Sequence, residues 1–124
     1  MIGIESVTRE VSKLALDGLW LRQQLIAQNV ANQQTAGFRP LRLEFESVLQ
    51  NLSQQLSSDG SGELSPESIA EAREQIAVYQ DTGAVQIDQE MADSTMNGVR
   101  YQALLTALGK LSALNRVAIS GGSR

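Results

Sequence analysis

The chain has 124 residues, 42% of them hydrophobic but only 4% aromatic, so one domain's core must rest on Leu, Ile, Val, Ala and Met, a mixture that favours helices over a β-sandwich. It contains neither Cys nor His, which excludes disulfides, thiol catalysis, most zinc sites and the commonest general base. The net charge of −4 is unevenly spread: residues 1–42 carry five basic and three acidic side chains, residues 43–93 one and eleven, and residues 94–124 four and none.

Basic ends around an acidic middle suggest that the two ends act together while the middle faces water. The opening Met1 to Glu10 has no basic start or apolar core of a secretory signal, and no apolar run approaches the ~20 residues of a membrane span. From Ile4, the residues Ile4, Val7, Val11, Leu14, Gly18, Leu21 and Leu25 alternate steps of three and four, a heptad seam. Leu16, Leu19, Trp20, Ile26 and Val30 widen that seam, so a helix over residues 5–32, about 40 Å long, expects neighbours on several sides.

Beyond it, Leu41, Phe45, Val48, Leu49, Leu52 and Leu56 predict a helix of about four turns. Residues 57–65 are rich in Ser and Gly and predict a flexible linker. Ser65-Pro66-Glu67 then predicts an N-cap with proline at the first helical position, opening a short helix to Ile76. Val78, Gln80, Gly83, Val85 and Ile87 predict two short extended segments about a turn at Asp81-Thr82-Gly83. A second long helix follows over 90–119, with the seam Asn97, Tyr101, Leu104, Leu108, Leu111, Asn115, Ala118, and the glycines of residues 120–124 predict its end and a short tail.

The expected fold is therefore mainly α. Residues 1–36 and 90–119 form one helical core, paired as an antiparallel coiled coil or bundle, and residues 37–89 form a partly irregular acidic insert looped out between them. Chemistry is hard to place on this chain. Asp59 to Glu63 imitates the opening of a calcium loop but lacks the sixth-position glycine and the closing acid. Carboxylate pairs such as Glu44/Glu46 and Asp88/Glu90 have no convergent partner, and no phosphate-cradling glycine loop or nucleophile context occurs. The spaced Arg100, Lys110 and Arg116 in an acidic chain do not make a nucleic-acid surface. No catalytic, cofactor or metal residue is nominated; the expectation is a non-enzyme with no cofactor, no nucleic acid and no small-molecule substrate.

One stretch is more specific. Asn29-Val30-Ala31-Asn32, followed by Thr35, Gly37, Phe38 and Arg39, resembles the N-terminal signature of the bacterial flagellar rod and hook protein family, with Ala36 where a proline is often seen. Val85, Ile87, Asp88, Glu90 and Met91 resemble the segment that opens the family's C-terminal helix. Tyr101-Gln102-Ala103-Leu104 and residues 111–119 resemble the proximal-rod branch more than distal rod or hook members. The likeness spans residues 5–40 and 83–119 and leaves the insert poorly covered.

The resemblance implies a structural subunit of the periplasmic rod of the flagellar basal body. Such a subunit is exported unfolded through the flagellar type III apparatus, without a cleaved signal peptide, and assembles as a helical tube. The implied partners are other copies, other rod proteins, and basal-body ring and export-gate proteins. The motif positions are then Asn29, Ala31, Asn32, Thr35, Gly37, Phe38, Val85, Glu90, Met91 and Tyr101. The seams of Val7, Val11, Leu14, Leu21, Leu25, Leu104, Leu108 and Leu111 would carry packing. Asn29 and Asn32, one turn apart, are expected to hydrogen-bond an adjacent subunit. The alternative is a soluble helical adaptor or dimerisation module.

Overall fold

A computed structural model describes residues 4–59 and 64–122. In chain order these form α1 (Ile4–Ala31), β1 (Leu41–Glu44), α2 (Glu46–Asp59), α3 (Pro66–Gln75), β2 (Ala77–Gln80) and α4 (Ile87–Gly122). The described protein is mainly helical, with one two-stranded antiparallel sheet in which Leu41 faces Gln80 and Glu44 faces Ala77.

Polar contacts fix the relation between the long helices. Asn29 reaches Glu90, Gln23 reaches Ser94, and Asn97 reaches the Leu19 carbonyl, so α4 numbers rise as α1 numbers fall. The two helices lie side by side and antiparallel. On α1, Val7, Leu14 and Leu25 are buried; on α4, the inward positions are Glu90, Asn97, Tyr101, Leu104, Leu108, Leu111 and Asn115.

The insert is not looped out as expected. Val48 and Leu52 of α2, Leu64, and Ile69 and Ala72 of α3 bury Val7 and Leu14 in one cluster, while Leu43 and Phe45 close a second cluster with Leu19 and Leu25, against which Tyr101 and Leu104 pack. The reason lies in α1: its apolar arc is too wide for α4 alone to cover, and α2 and α3 shield the remainder.

The start of α3 follows its sequence. Ser65 sits in extended conformation, its hydroxyl accepts from the Ser68 amide at 3.1 Å, and Pro66 fills the first turn where no amide partner is needed. Leu41–Glu44 departs from the expected helix and is a strand. Leu41 and Phe45 share helical spacing, but Pro40 removes a donor and disfavours a helical entry, and the antiparallel partner β2 supplies the backbone pairing. Helix α2 begins only at Glu46, where the Glu44 carboxylate accepts from the Ser47 amide at 3.2 Å.

Three further boundaries differ. One strand, not two, flanks the turn at residues 81–83, because Ala77–Gln80 finds its partner in β1 and Gly83, at φ +88°, turns the chain towards α4. Within the expected linker, residues 57–59 continue α2, Leu64 is buried in the core and Ser65 caps α3; residues 60–63, and with them most of the calcium-like sequence, lie outside the described residues. Helix α4 starts at Ile87 and runs through Gly122, past the tail boundary, since an exposed helical glycine costs only about 1 kcal/mol relative to alanine. Residues 123 and 124 lie outside the described residues.

Gly18 has a packing reason in this fold. A Cβ built there would meet the Phe45 ring at 2.8–3.0 Å, too close for any real side chain. Gly18→Ala gains up to about 1 kcal/mol of helix propensity and costs about 1–3 kcal/mol of overpacking. Urea denaturation of Gly18→Ala should show a net loss of stability; a gain equal to the propensity difference would mean that Phe45 moves freely.

Candidate functional site: a buried polar junction

The residues of the asparagine stretch end α1 in two different ways. Asn32 works locally: its amide donates to the Gln28 carbonyl at 2.8 Å, and its Oδ1 accepts from Thr35 Oγ1 at 3.1 Å. The backbone folds back through Thr35 N to Asn32 O and Phe38 N to Thr35 O, and Gly37 takes φ +76°, which a side chain would resist. Ala31, Thr35 and Gly37 are exposed, and Phe38 is half-buried.

Asn29 works at long range and is fully buried. Its Nδ2 donates to the Leu41 carbonyl at 3.0 Å and to Glu90 Oε2 at 3.1 Å, while its Oδ1 accepts from the Leu41 amide at 2.8 Å. The expected contact with an adjacent subunit is therefore corrected: Asn29 spends its amide inside the chain, tying α1 to β1 and α4 at once. Arg22, two turns earlier on α1, donates to the Leu43 carbonyl at 2.8 Å. Together Asn29 and Arg22 take the Leu41 amide and carbonyl and the Leu43 carbonyl on the edge of β1 that β2 does not pair, a device that covers much of an otherwise open strand edge.

Glu90 is the second fully buried polar residue. Its Oε1 lies 2.8 Å from Arg42 Nη1; the contact is an ion pair by distance, without the alignment of a hydrogen bond. Arg42 also reaches Asp81 at 3.4 Å. Burial alone pushes the Arg42 guanidinium down, but Glu90 and then Asp81 outweigh it and hold it above its ordinary value. A second arginine site stands beside the first. Arg22 donates to Glu46 Oε2 at 2.8 Å and lies 4.4 Å over the Phe45 ring. Burial would raise the Glu46 carboxyl, yet the Arg22 hydrogen bond and local backbone amides hold it below its ordinary value.

Two turns beyond Glu90 along the interface, Asn97 donates to the Leu19 carbonyl at 2.8 Å and to Gln23 Oε1 at 3.0 Å, and Gln23 donates to Ser94 Oγ at 2.7 Å. Asn97 Oδ1 is buried with no hydrogen-bond partner among the described residues.

Of the motif positions, the structure thus brings Asn29 and Glu90 together, with Arg42 and Asp81 completing the junction. Val85 is half-buried, Met91 is 55% exposed, and Tyr101 packs further along α4. Sequence reasoning missed Arg42 and the pairing role of Asn97. The signal for Asn97 was present, a polar residue at a seam position; Arg42 lies in a stretch whose apolar spacing reads as a helix, where nothing local points to a buried partner.

The arrangement defines a helical packing module: buried polar groups lock two antiparallel helices in one register, and among the described residues no cluster of three metal-ligating acids occurs. No helix of the described residues is long and apolar enough to cross a membrane. No family model matches the chain. Over 118 residues, 87% of this chain and 89% of the relative, it is 30% identical to the flagellar basal body rod protein FlgB of Bacillus subtilis (strain 168). The chain belongs to the flagellar basal-body rod protein family.

Proposed function

We propose that the chain is a structural subunit of the proximal flagellar rod, a FlgB-type segment of the periplasm-spanning drive shaft and export channel. The observation that carries this reading is the likeness to a rod protein across 87% of the chain, in which both long helices take part. The helices supply a physical reason. Apolar residues surround α4, and Met91, Met96, Val99, Leu105, Leu114, Val117 and Ile119 are exposed. A helix apolar on all sides belongs in an interior, and neighbouring subunits of a tube provide one.

In this reading, residues 1–36 and 90–119 act as the helical core, 37–89 as the variable acidic insert and 120–124 as a tail. Leu21 and Leu25 of α1 and Leu104, Leu108 and Leu111 of α4 carry the coiled-coil packing in the assembled rod, while Val7 and Leu14 stay covered by α2 and α3. The motif residues Asn29, Asn32, Gly37 and Glu90 set the junction from which the insert departs. The subunit passes the flagellar type III apparatus unfolded, without a cleaved signal peptide. It folds in the periplasm against other copies, other rod proteins, and ring and export-gate proteins. Deleting the gene should abolish basal-body rods and motility; intact rods in the deletion strain would sink the proposal.

A further inference from the structure

Three observations on the outer surface match one another. Met96, Val99, Ala103 and Lys110 follow steps of three, four and seven, which places them on one side of α4; all four are exposed. On α1, Trp20 is 59% exposed, an unusual state for the chain's lone tryptophan. Three residues away, Asp17 holds Arg73 of α3 at 2.6 Å, so α3 lies beside the stretch of α1 that carries Trp20. On that outside, Glu67, Glu71 and Glu74 repeat at four and three, on one face, exposed and with no ion pair among the described residues. Lys110 likewise has none, and no acidic residue lies anywhere in 94–122.

The spacing agrees as well as the chemistry. From Met96 to Lys110 is about 21 Å along α4. From Trp20 to the Val7–Leu14 stretch of α1 that shares a core cluster with α3 is about 9–20 Å in the same direction, since α1 and α4 are antiparallel. A copy set beside the first in the same orientation brings Met96 and Val99 level with Trp20, and Lys110 level with the glutamates.

We propose that the outer side of α4 docks on the Trp20 and α3 surface of a second, parallel copy of this chain. Apolar contact falls at Met96, Val99 and Trp20, and charge pairing at Lys110 with Glu67, Glu71 or Glu74. The contact uses different patches on the two copies, so repetition gives a ring or helix rather than a closed pair. It rests on the rod reading for its setting and specifies which faces meet.

The chain's lack of cysteine makes the test direct. Full-length chains carrying Lys110→Cys alone and Glu71→Cys alone are mixed at rising concentration and oxidised; the same two chains are co-expressed and basal bodies isolated. The expected result is a mixed disulfide dimer at least tenfold above either chain alone, reduced at least fivefold by Trp20→Ala, with a blue shift of Trp20 emission on association. No mixed dimer in either setting, a product with a protein of different mass, or solvent-like Trp20 emission in the associated state overturns the docking. Loss of motility on gene deletion without the mixed dimer removes the docking and leaves the rod reading standing; unchanged motility removes the rod reading.

Discussion

Asn29→Leu should lower the free energy of unfolding by about 2–4 kcal/mol, whereas Asn97→Leu, the same change in the same helix interface, should leave it within about 1 kcal/mol of the native chain or raise it. The difference lies in what each asparagine satisfies. Removing the Asn29 amide strands the Leu41 N–H and C=O on the edge of β1, and takes a donor from the buried Glu90 carboxylate. Each buried group left unpaired costs about 1–3 kcal/mol, and native stability is typically about 5–15 kcal/mol in all. Asn97, in contrast, donates to a Leu19 carbonyl that lies within α1, and its own Oδ1 has no partner already. Leucine there removes an unmet acceptor and adds apolar surface; the loss is in the register that a polar seam residue specifies. Urea unfolding of the two variants side by side decides the matter, and equal destabilisation would mean that both asparagines are pinned by the same network.

That contrast also marks where the sequence was readable. The three-and-four spacing located the buried Val7, Leu14 and Leu25 of α1 and the inward positions from Asn97 to Leu111 of α4, because helical burial leaves a local periodic trace. Ser65 and Pro66 were equally legible, since a cap acts within four residues. Leu41 and Phe45 misled for the same reason: a spacing of four fits a helix, and nothing nearby announces that Leu41–Glu44 pairs with Ala77–Gln80. Pairing across the insert is a non-local fact. The junction was half legible. Asn29 and Glu90 stood out as motif positions, but their meeting depends on the antiparallel register of α1 and α4. Arg42 is placed by a strand that periodicity read as a helix. The wide apolar arc of α1 signalled neighbours on several sides without saying that α2 and α3 of the same chain supply some of them.

Arg42→Met should be the costliest single change at the junction, at about 3–5 kcal/mol, and Glu90→Met should cost only about 1–2 kcal/mol, although both break the same 2.8 Å contact. Burial sets the asymmetry. The Glu90 side chain is 0% exposed, so without Arg42 its charge remains in the interior with Asn29 as its hydrogen-bond donor. The Arg42 side chain is 23% exposed and keeps Asp81 at 3.4 Å, so without Glu90 it still has a counter-ion and a route to water. The double variant should then resemble Glu90→Met alone, giving a coupling energy of about 3–5 kcal/mol in the cycle. Additive single costs would show instead that Glu90 and Arg42 stabilise the fold through separate contacts. A large coupling beside a double variant that loses only about 1–2 kcal/mol has a consequence for the rod reading. The ion pair would then add little net stability and serve to hold α4, β1 and α1 in one register, so that every copy presents its outer faces to its neighbours in the same alignment.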